Sequence, residues 1–370
     1  MDIDRLLTPS SENKVISFAN ADGKRWIVPV RAMKLALAIY QPGSVKGRMM
    51  KRFLPVLWRL GIFRHMLHSD LGFYDLIPSI SQPCADAFHA EVVDWSLFGG
   101  TPSADSKVTI QCVDDGRIAG YCKVTDSHDI AVRLFKHESL LLDFLNSFEE
   151  MKDRIPLALD YTVTGDDLYL FIQSTVKTLE SKEEHQWTPL HQSFQADLHR
   201  LTATPMKAAE TDTFLSIRRL YDTYAKVIPE ELRGFVSESA QQVLANFSDM
   251  DVSAVVTHRD FTPWNMIVND GSLFVFDWEY GIYHGMPGTD KCHFLIQTAI
   301  FEQHVSPEVL IKQLIRYDDI DAMLLKIYLL DIISLYAARS GGKWSDSDYD
   351  TLAFRARLLG LADSLESSTL

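Results

Sequence analysis

The chain has 370 residues, 46% hydrophobic and 23% charged, enough to build cores for two domains of ordinary size and too apolar for global disorder. Its 50 acidic and 36 basic residues give a net charge of -14, which argues against nucleic acid as a partner, because a phosphate backbone draws a basic footprint. Cys84, Cys112, Cys122 and Cys292 lie far apart with no CxxC pair, so neither a disulfide scaffold nor a structural zinc site is expected, and a reducing compartment fits. The first residues show no basic head followed by an apolar run, so no secretory signal is expected. The longest apolar stretch, 322–338, is interrupted by Lys326 and Asp331 and reads as a buried helix, not a membrane span. A cytoplasmic protein is the expectation.

Charge is placed unevenly: residues 1–90 hold 12 Lys and Arg against 7 Asp and Glu, and the remainder 24 against 43. Residues 17–30 predict a short hairpin that turns at Asp22-Gly23, between Phe18 and Trp26. From 45 to 68, Lys46, Arg48, Lys51, Arg52, Arg59 and Arg64 occur without an acid. Met50, Phe53, Leu54, Leu57 and Leu60 recur there at helical spacing, with Pro55 predicting a kink. The 46–64 segment has three readings: a solvated helix face, a peripheral contact with anionic membrane or a lipid-linked acceptor, or recognition of a phosphorylated or acidic partner. Strand-like runs follow at 91–98, then Gly99-Gly100-Thr101-Pro102-Ser103, then 108–113 and 118–124 joined by Asp114-Asp115-Gly116, a strong hairpin signal. A helix over 131–148 and strands over 157–163 and 168–172 complete an antiparallel sheet with one helix against it. From Pro189 onward helices dominate, broken by strands at 252–257, 266–268 and 273–276. The expected organisation is α+β: an N-terminal extension over 1–88, a β-rich domain over 89–175 and a helical domain over 176–370.

The chemistry-bearing stretch is Val256-Thr257-His258-Arg259-Asp260-Phe261-Thr262-Pro263-Trp264-Asn265, followed by Phe274-Val275-Phe276-Asp277-Trp278-Glu279. Phosphoryl transfer needs a positioned acceptor and metal ions that neutralise charge on the phosphate oxygens. Asp260 on a loop can take a proton, while Asn265 and Asp277 offer the hard oxygen ligands that Mg²⁺ prefers. Apolar runs on either side suit strands that hold these loops rigid.

His258-Arg259-Asp260 with Asn265 resembles the H-x-D-x-x-x-x-N catalytic loop of kinases. Pro263-Trp264-Asn265, and Asp277-Trp278-Glu279 in place of D-F-G, resemble the aminoglycoside phosphotransferase and choline kinase branch. Asp290 after Pro287-Gly288, and Leu198-His199-Arg200-Leu201, look like that branch too, and the resemblance covers residues 90–340. It implies a protein kinase-like two-lobed fold, with a β-rich N-terminal lobe, a mainly helical C-terminal lobe and an extra N-terminal module. The implied activity is ATP- or GTP-dependent transfer of the γ-phosphate, with Mg, to a hydroxyl of a small molecule or glycan.

By the same resemblance Asp260 is the catalytic base, Asn265 and Asp277 hold the metal, and Glu279 either helps a second metal or faces solvent. Lys123 takes the place of the strand lysine that holds the nucleotide phosphates, with Glu138 as its partner and Asp143 as the fallback. Gly99, Gly100, Thr101 and Ser103 form either a phosphate-covering loop or an ordinary turn, and Gln173 and Thr175 mark the linker whose backbone would hold adenine. His258 is expected to pack and bond the metal loop, and Asp290 to brace the catalytic loop. Arg259 stands where the branch often has glycine, and either contacts an anionic acceptor or pairs with an acid. Asp318, Asp319, Asp321, Asp331, Asp346 and Asp348 leave a cationic acceptor open. The competing reading is a non-catalytic kinase-like nucleotide-binding module that acts through protein docking. A protein kinase is disfavoured by Asp277-Trp278-Glu279 and by the lack of an A-P-E segment after it.

Overall fold

A computed structural model describes residues 1–20, 23–41, 45–61, 72–90, 94–100, 105–363 and 365. The chain divides into two compact units: Met1–Lys182 with Ile267–Phe274, and Glu183–Met266 with Val275–Leu370.

The first unit is built on an eight-stranded antiparallel sheet. Its strands are β1 (Leu7–Ala19), β2 (Arg25–Pro29), β3 (Gly72–Leu76), β4 (Asp94–Phe98), β5 (Val108–Asp114), β6 (Arg117–Thr125), β7 (Ala158–Val163) and β8 (Tyr169–Ser174), in the order β3-β1-β2-β4-β5-β6-β8-β7. Asp115 (φ 43°) and Gly116 (φ 71°) turn β5 into β6, the left-handed pair that a two-residue hairpin requires. Phe18 pairs with Trp26 as the sequence predicts, although Asp22 in the turn lies outside the described residues.

The expected boundaries need correcting here. Residues 1–88 do not form a module of their own, because Trp26 and Ile27 of β2 pair with Phe98 and Leu97 of β4, which makes β1, β2 and β3 one sheet with the rest. The boundary after this unit falls at Lys182, not at 175. That edge-to-edge pairing is a long-range choice, and local hydrophobic patterning does not specify it.

Two cores cover the two faces of this sheet. Ile110, Cys112, Cys122, Val124 and Ile172 pack with Leu76, Ile80 and Cys84. Ile16, Phe18, Trp26 and Val28 pack with Leu37, Leu54 and Trp58, the last two from the Val45–Arg59 helix, which continues through Pro55. The side chain of Lys46, and Arg64 altogether, lie outside the described residues. The helix expected over 131–148 is realised as a π-helical turn, Ala131–Lys136, running into an α-helix, His137–Asn146. All four cysteines are free and buried. The hairpin of β11 (Met266–Asn269) and β12 (Ser272–Val275) contributes residues 267–274 to this unit, where Val268 bonds to Lys182.

The second unit is mainly helical around a small sheet, β13-β10-β9, formed by β9 (Thr204–Lys207), β10 (Asp251–Thr257) and β13 (Ile282–Gly285). A Cβ on Gly285 would stand 2.2 Å from the Thr257 hydroxyl, so only glycine lets β13 lie this close to the end of β10. Ala322–Ser340 buries residues all round its circumference, as expected for an internal helix. Among the described residues no helix is long and apolar enough to cross a membrane.

Candidate active site

In the second unit β10 ends at Thr257, and the loop 258–265 holds the candidate base, Asp260. His258 is fully buried; its Nε2 bonds the Phe276 carbonyl at 3.0 Å and its Nδ1 accepts from the Asp260 N–H at 3.2 Å. These bonds fit a neutral ring with the proton on Nε2, and burial pushes its pKa down. His258 therefore packs and ties down the loop at Phe276, and has no free lone pair for proton abstraction.

Asp290, near the start of the Thr289–Thr298 helix, braces the loop from outside. Its Oδ2 accepts from the His258 N–H at 2.8 Å and its Oδ1 from the Arg259 N–H at 2.9 Å. Arg259 itself sits at φ 61°, a left-handed conformation that glycine takes freely and that costs other residues about 1–3 kcal/mol. The structure decides between its two readings: the guanidinium forms a forked ion pair with Asp331, at 2.6 and 3.0 Å. Asp331 is buried on the Ala322–Ser340 helix; burial raises its pKa, and Arg259 pulls it back. This acid is therefore withdrawn from any acceptor pocket.

Asp260 is the half-buried tip of this braced loop. Asn265 Nδ2 donates to its Oδ2 at 2.7 Å and to its carbonyl at 3.0 Å, and His293 Nε2 lies 3.1 Å from its Oδ1. Its side chain keeps 27% exposure, so the carboxylate is oriented on both oxygens yet still reaches solvent. Burial pushes its pKa up, but the hydrogen bond and charge of His293 outweigh it and hold the group below the usual carboxylate value. Asp260 is thus ionised over the neutral range.

His293 was not among the sequence candidates. It lies 33 residues beyond Asp260, is buried, and is itself fixed by the Tyr328 hydroxyl at 3.2 Å from Nδ1. The one signal available was its i+3 spacing from Asp290, which puts both side chains on one face of their helix. Beneath the loop Phe261 packs among Trp187, His191, Phe194 and Phe294, which anchors the chain just after the carboxylate.

The loop with Asp277 and Glu279 follows β12. The Phe276 N–H donates to the Asn265 carbonyl at 3.0 Å, so the two loops are bonded through backbone. Trp278, fully buried, donates its indole N–H to the Val275 carbonyl at 2.9 Å and fixes the turn. Asp277 follows at φ 68°, half-buried, and Glu279 is buried, which overturns its solvent-facing alternative. Asn265, Asp277 and Glu279 supply oxygen donors only, and no nitrogen or sulfur, the set that fits Mg²⁺.

In the first unit, Lys123 on β6 and Glu138 on the His137–Asn146 helix form the expected ion pair, at 2.5 Å, with side chains 4% and 0% exposed. Asp143 is exposed on the same helix. Gly99 donates its N–H to the Arg25 carbonyl at 2.8 Å, continuing the β4–β2 pairing. Gly100 stands at φ 76°, and a Cβ there would meet the Lys107 carbonyl at 2.2 Å, so this glycine serves a tight turn. Thr101 and Ser103 lie outside the described residues. Gln173 is buried at the end of β8, and the Thr175 hydroxyl accepts from the Lys177 N–H at 3.2 Å.

A β-rich unit with a buried strand-lysine–helix-glutamate pair, and a helical unit with a braced H-x-D loop and a following D-x-E loop, define a kinase-like α+β protein. Residues 157–323 match the sequence profile of the phosphotransferase enzyme family (APH). No curated protein matches the chain. Among solved structures it is similar to a thermostable mutant of aminoglycoside phosphotransferase APH(4)-Ia in ternary complex with AMP-PNP and hygromycin B (13% identity, 78% of this chain and 99% of that one, TM-score 0.50), a likeness of fold. Also found are the gentamicin-APH(2")-IIa complex (16% identity, 79% and 99%, TM-score 0.46) and choline kinase LicA from Streptococcus pneumoniae (15% identity, 68% and 89%, TM-score 0.43).

Proposed function

We propose that this chain transfers the γ-phosphate of ATP to a hydroxyl of a small molecule or glycan, with Asp260 as the base. One observation carries the reading: Asp260 is a solvent-reaching carboxylate oriented on one oxygen by Asn265 and on the other by His293, at the tip of a loop whose backbone Asp290 holds. In such a step Asp260 aligns the acceptor hydroxyl and takes its proton while the oxygen attacks phosphorus and the nucleoside diphosphate leaves. Asn265, Asp277 and Glu279 are the residues that would hold Mg²⁺, which supplies charge neutralisation on the phosphate oxygens. Lys123, kept in place by Glu138, would bind the α- and β-phosphates. The Gly100 turn would border the phosphates, and the Gln173–Thr175 backbone would receive the adenine.

Asp260→Asn tests the assignment. It keeps the shape and the hydrogen-bonding reach of the side chain but cannot accept the proton. Turnover of ATP with an accepted hydroxyl substrate is expected to fall on the order of 1,000-fold, while nucleotide binding changes little. Wild-type rates in Asp260→Asn would refute the role. Tight nucleotide binding by the wild type, with no transfer to any amino-alcohol, aminoglycoside or sugar, would favour the docking-module alternative.

A further inference from the structure

The Val45–Arg59 helix carries two apolar stripes, and only one of them enters the core. Leu54 and Trp58 are buried against the sheet. Met49, Phe53, Val56 and the next residue, Leu60, recur at i, i+4, i+7 and i+11, and all four are between 47% and 66% exposed. At 100° per residue these four fall within one 60° sector on the side of the helix away from the buried stripe. Arg48, Arg52 and Arg59, all exposed, fall in the adjoining sector, so an apolar strip runs beside a strip of arginines.

A second observation adjoins the arginine side. A cavity of about 250 Å³ is lined by Pro55, Trp58 and Arg59 of this helix together with Arg31, Met33 and Lys34, and among the described residues no acid lines it. Of these cations Arg31 also pairs with Asp94. Residues 23–69 contain 10 Lys and Arg and no Asp or Glu, in a chain whose net charge is -14. A solvated helix face accounts for the arginines but not for four large apolar side chains in line beside them.

We propose that the outer face of the Val45–Arg59 helix docks this protein on an anionic phospholipid surface. Met49, Phe53, Val56 and Leu60 enter the headgroup–acyl boundary, Arg48, Arg52 and Arg59 meet lipid phosphates, and the basic cavity receives one phosphate-bearing headgroup. The helix lies in the interface plane and does not cross it, the shape expected of an apolar strip edged by cations. A membrane-bound or lipid-linked hydroxyl compound is the acceptor class such docking would favour, but the docking itself does not rest on the phosphotransfer reading.

The test is flotation of the full chain with vesicles of phosphatidylcholine alone, and of phosphatidylcholine mixed with phosphatidylserine, at low and high salt. Wild-type protein should float with the anionic vesicles and not with the neutral ones, and salt should weaken the binding. Two surface variants, Phe53→Ser with Leu60→Ser, and Arg52→Glu with Arg59→Glu, replace exposed side chains and should leave the melting temperature near wild type. Each should reduce binding to anionic vesicles on the order of 10-fold or more. Absence of wild-type binding to anionic vesicles would overturn the proposal, as would equal binding to both vesicle types. Loss in the arginine pair but none in the Phe53 and Leu60 pair would overturn it in favour of an acidic protein partner.

Discussion

Each of the two units keeps a buried ion pair, and the two pairs differ in what they hold. Lys123–Glu138 joins a strand to the helix that follows it, and its lysine is a group the proposed chemistry uses. Arg259–Asp331 joins the 258–265 loop to the Ala322–Ser340 helix, and holds a non-glycine residue at φ 61° beside Asp260. Burying two charges gives little net stability, but removing one partner leaves the other uncompensated. The contrast teaches that a buried charge in a kinase-like protein can be there for the substrate or for the backbone, and that burial does not tell which.

Double replacement separates the cases most strongly. Lys123→Met with Glu138→Leu should fold with stability near wild type, because both charges leave together, yet lose phosphotransfer by about 100-fold or more. Arg259→Gly with Asp331→Leu should recover both stability and activity, since glycine accepts the left-handed backbone. Between these singles the asymmetry is also defined. Asp331→Leu strands a guanidinium that cannot deprotonate and should cost about 3–5 kcal/mol. Arg259→Gly should cost less, because Asp331, with a pKa already raised by burial, can take up a proton. A rise in acceptor KM for the Arg259→Gly/Asp331→Leu protein would mean that Arg259 touches the substrate after all. Denaturant melts and steady-state kinetics on the same preparations make both comparisons.

A smaller effect is expected at His293. His293→Ala removes the partner of one Asp260 oxygen, and kcat should fall on the order of 10- to 100-fold through misplacement of the carboxylate. Asp260 acts as a base only when ionised, and its pKa is held below the ordinary value, with His293 the first of the groups that lower it against burial. Without that partner the pKa rises, so the acid limb of the kcat/KM profile should move to higher pH. A packing role alone would leave that limb where it is. His293→Asn, which keeps a donor, should restore part of the shift.

Much of this was legible in the sequence, and the reason differs from residue to residue. Lys123 and Glu138 were found because a hairpin followed by a helix brings a strand lysine and a first-turn acid together through local geometry. His258, Asp260 and Asn265 are brought together because the loop that carries them is contiguous and lies between apolar strands. His293 and Asp331 were not assigned to the loop, since they meet it only through the packing of helices 33 and 72 residues away. The first 88 residues were misjudged for a related reason. Their hairpin is a local pattern, but its pairing with β4 is a choice of sheet edge that no periodicity records. The short strands β9 and β13, four residues each, carry too little alternation to be recognised.

The central claim is that the D-x-E loop holds a metal for nucleotide phosphates. The most direct test is calorimetric titration of ATP into wild type and Asp277→Ala, each with and without Mg²⁺. The account predicts that wild type binds ATP at least about 10-fold more tightly with Mg²⁺ and that Asp277→Ala loses this gain while retaining its fold. Equal Mg²⁺ dependence in the two proteins would contradict it.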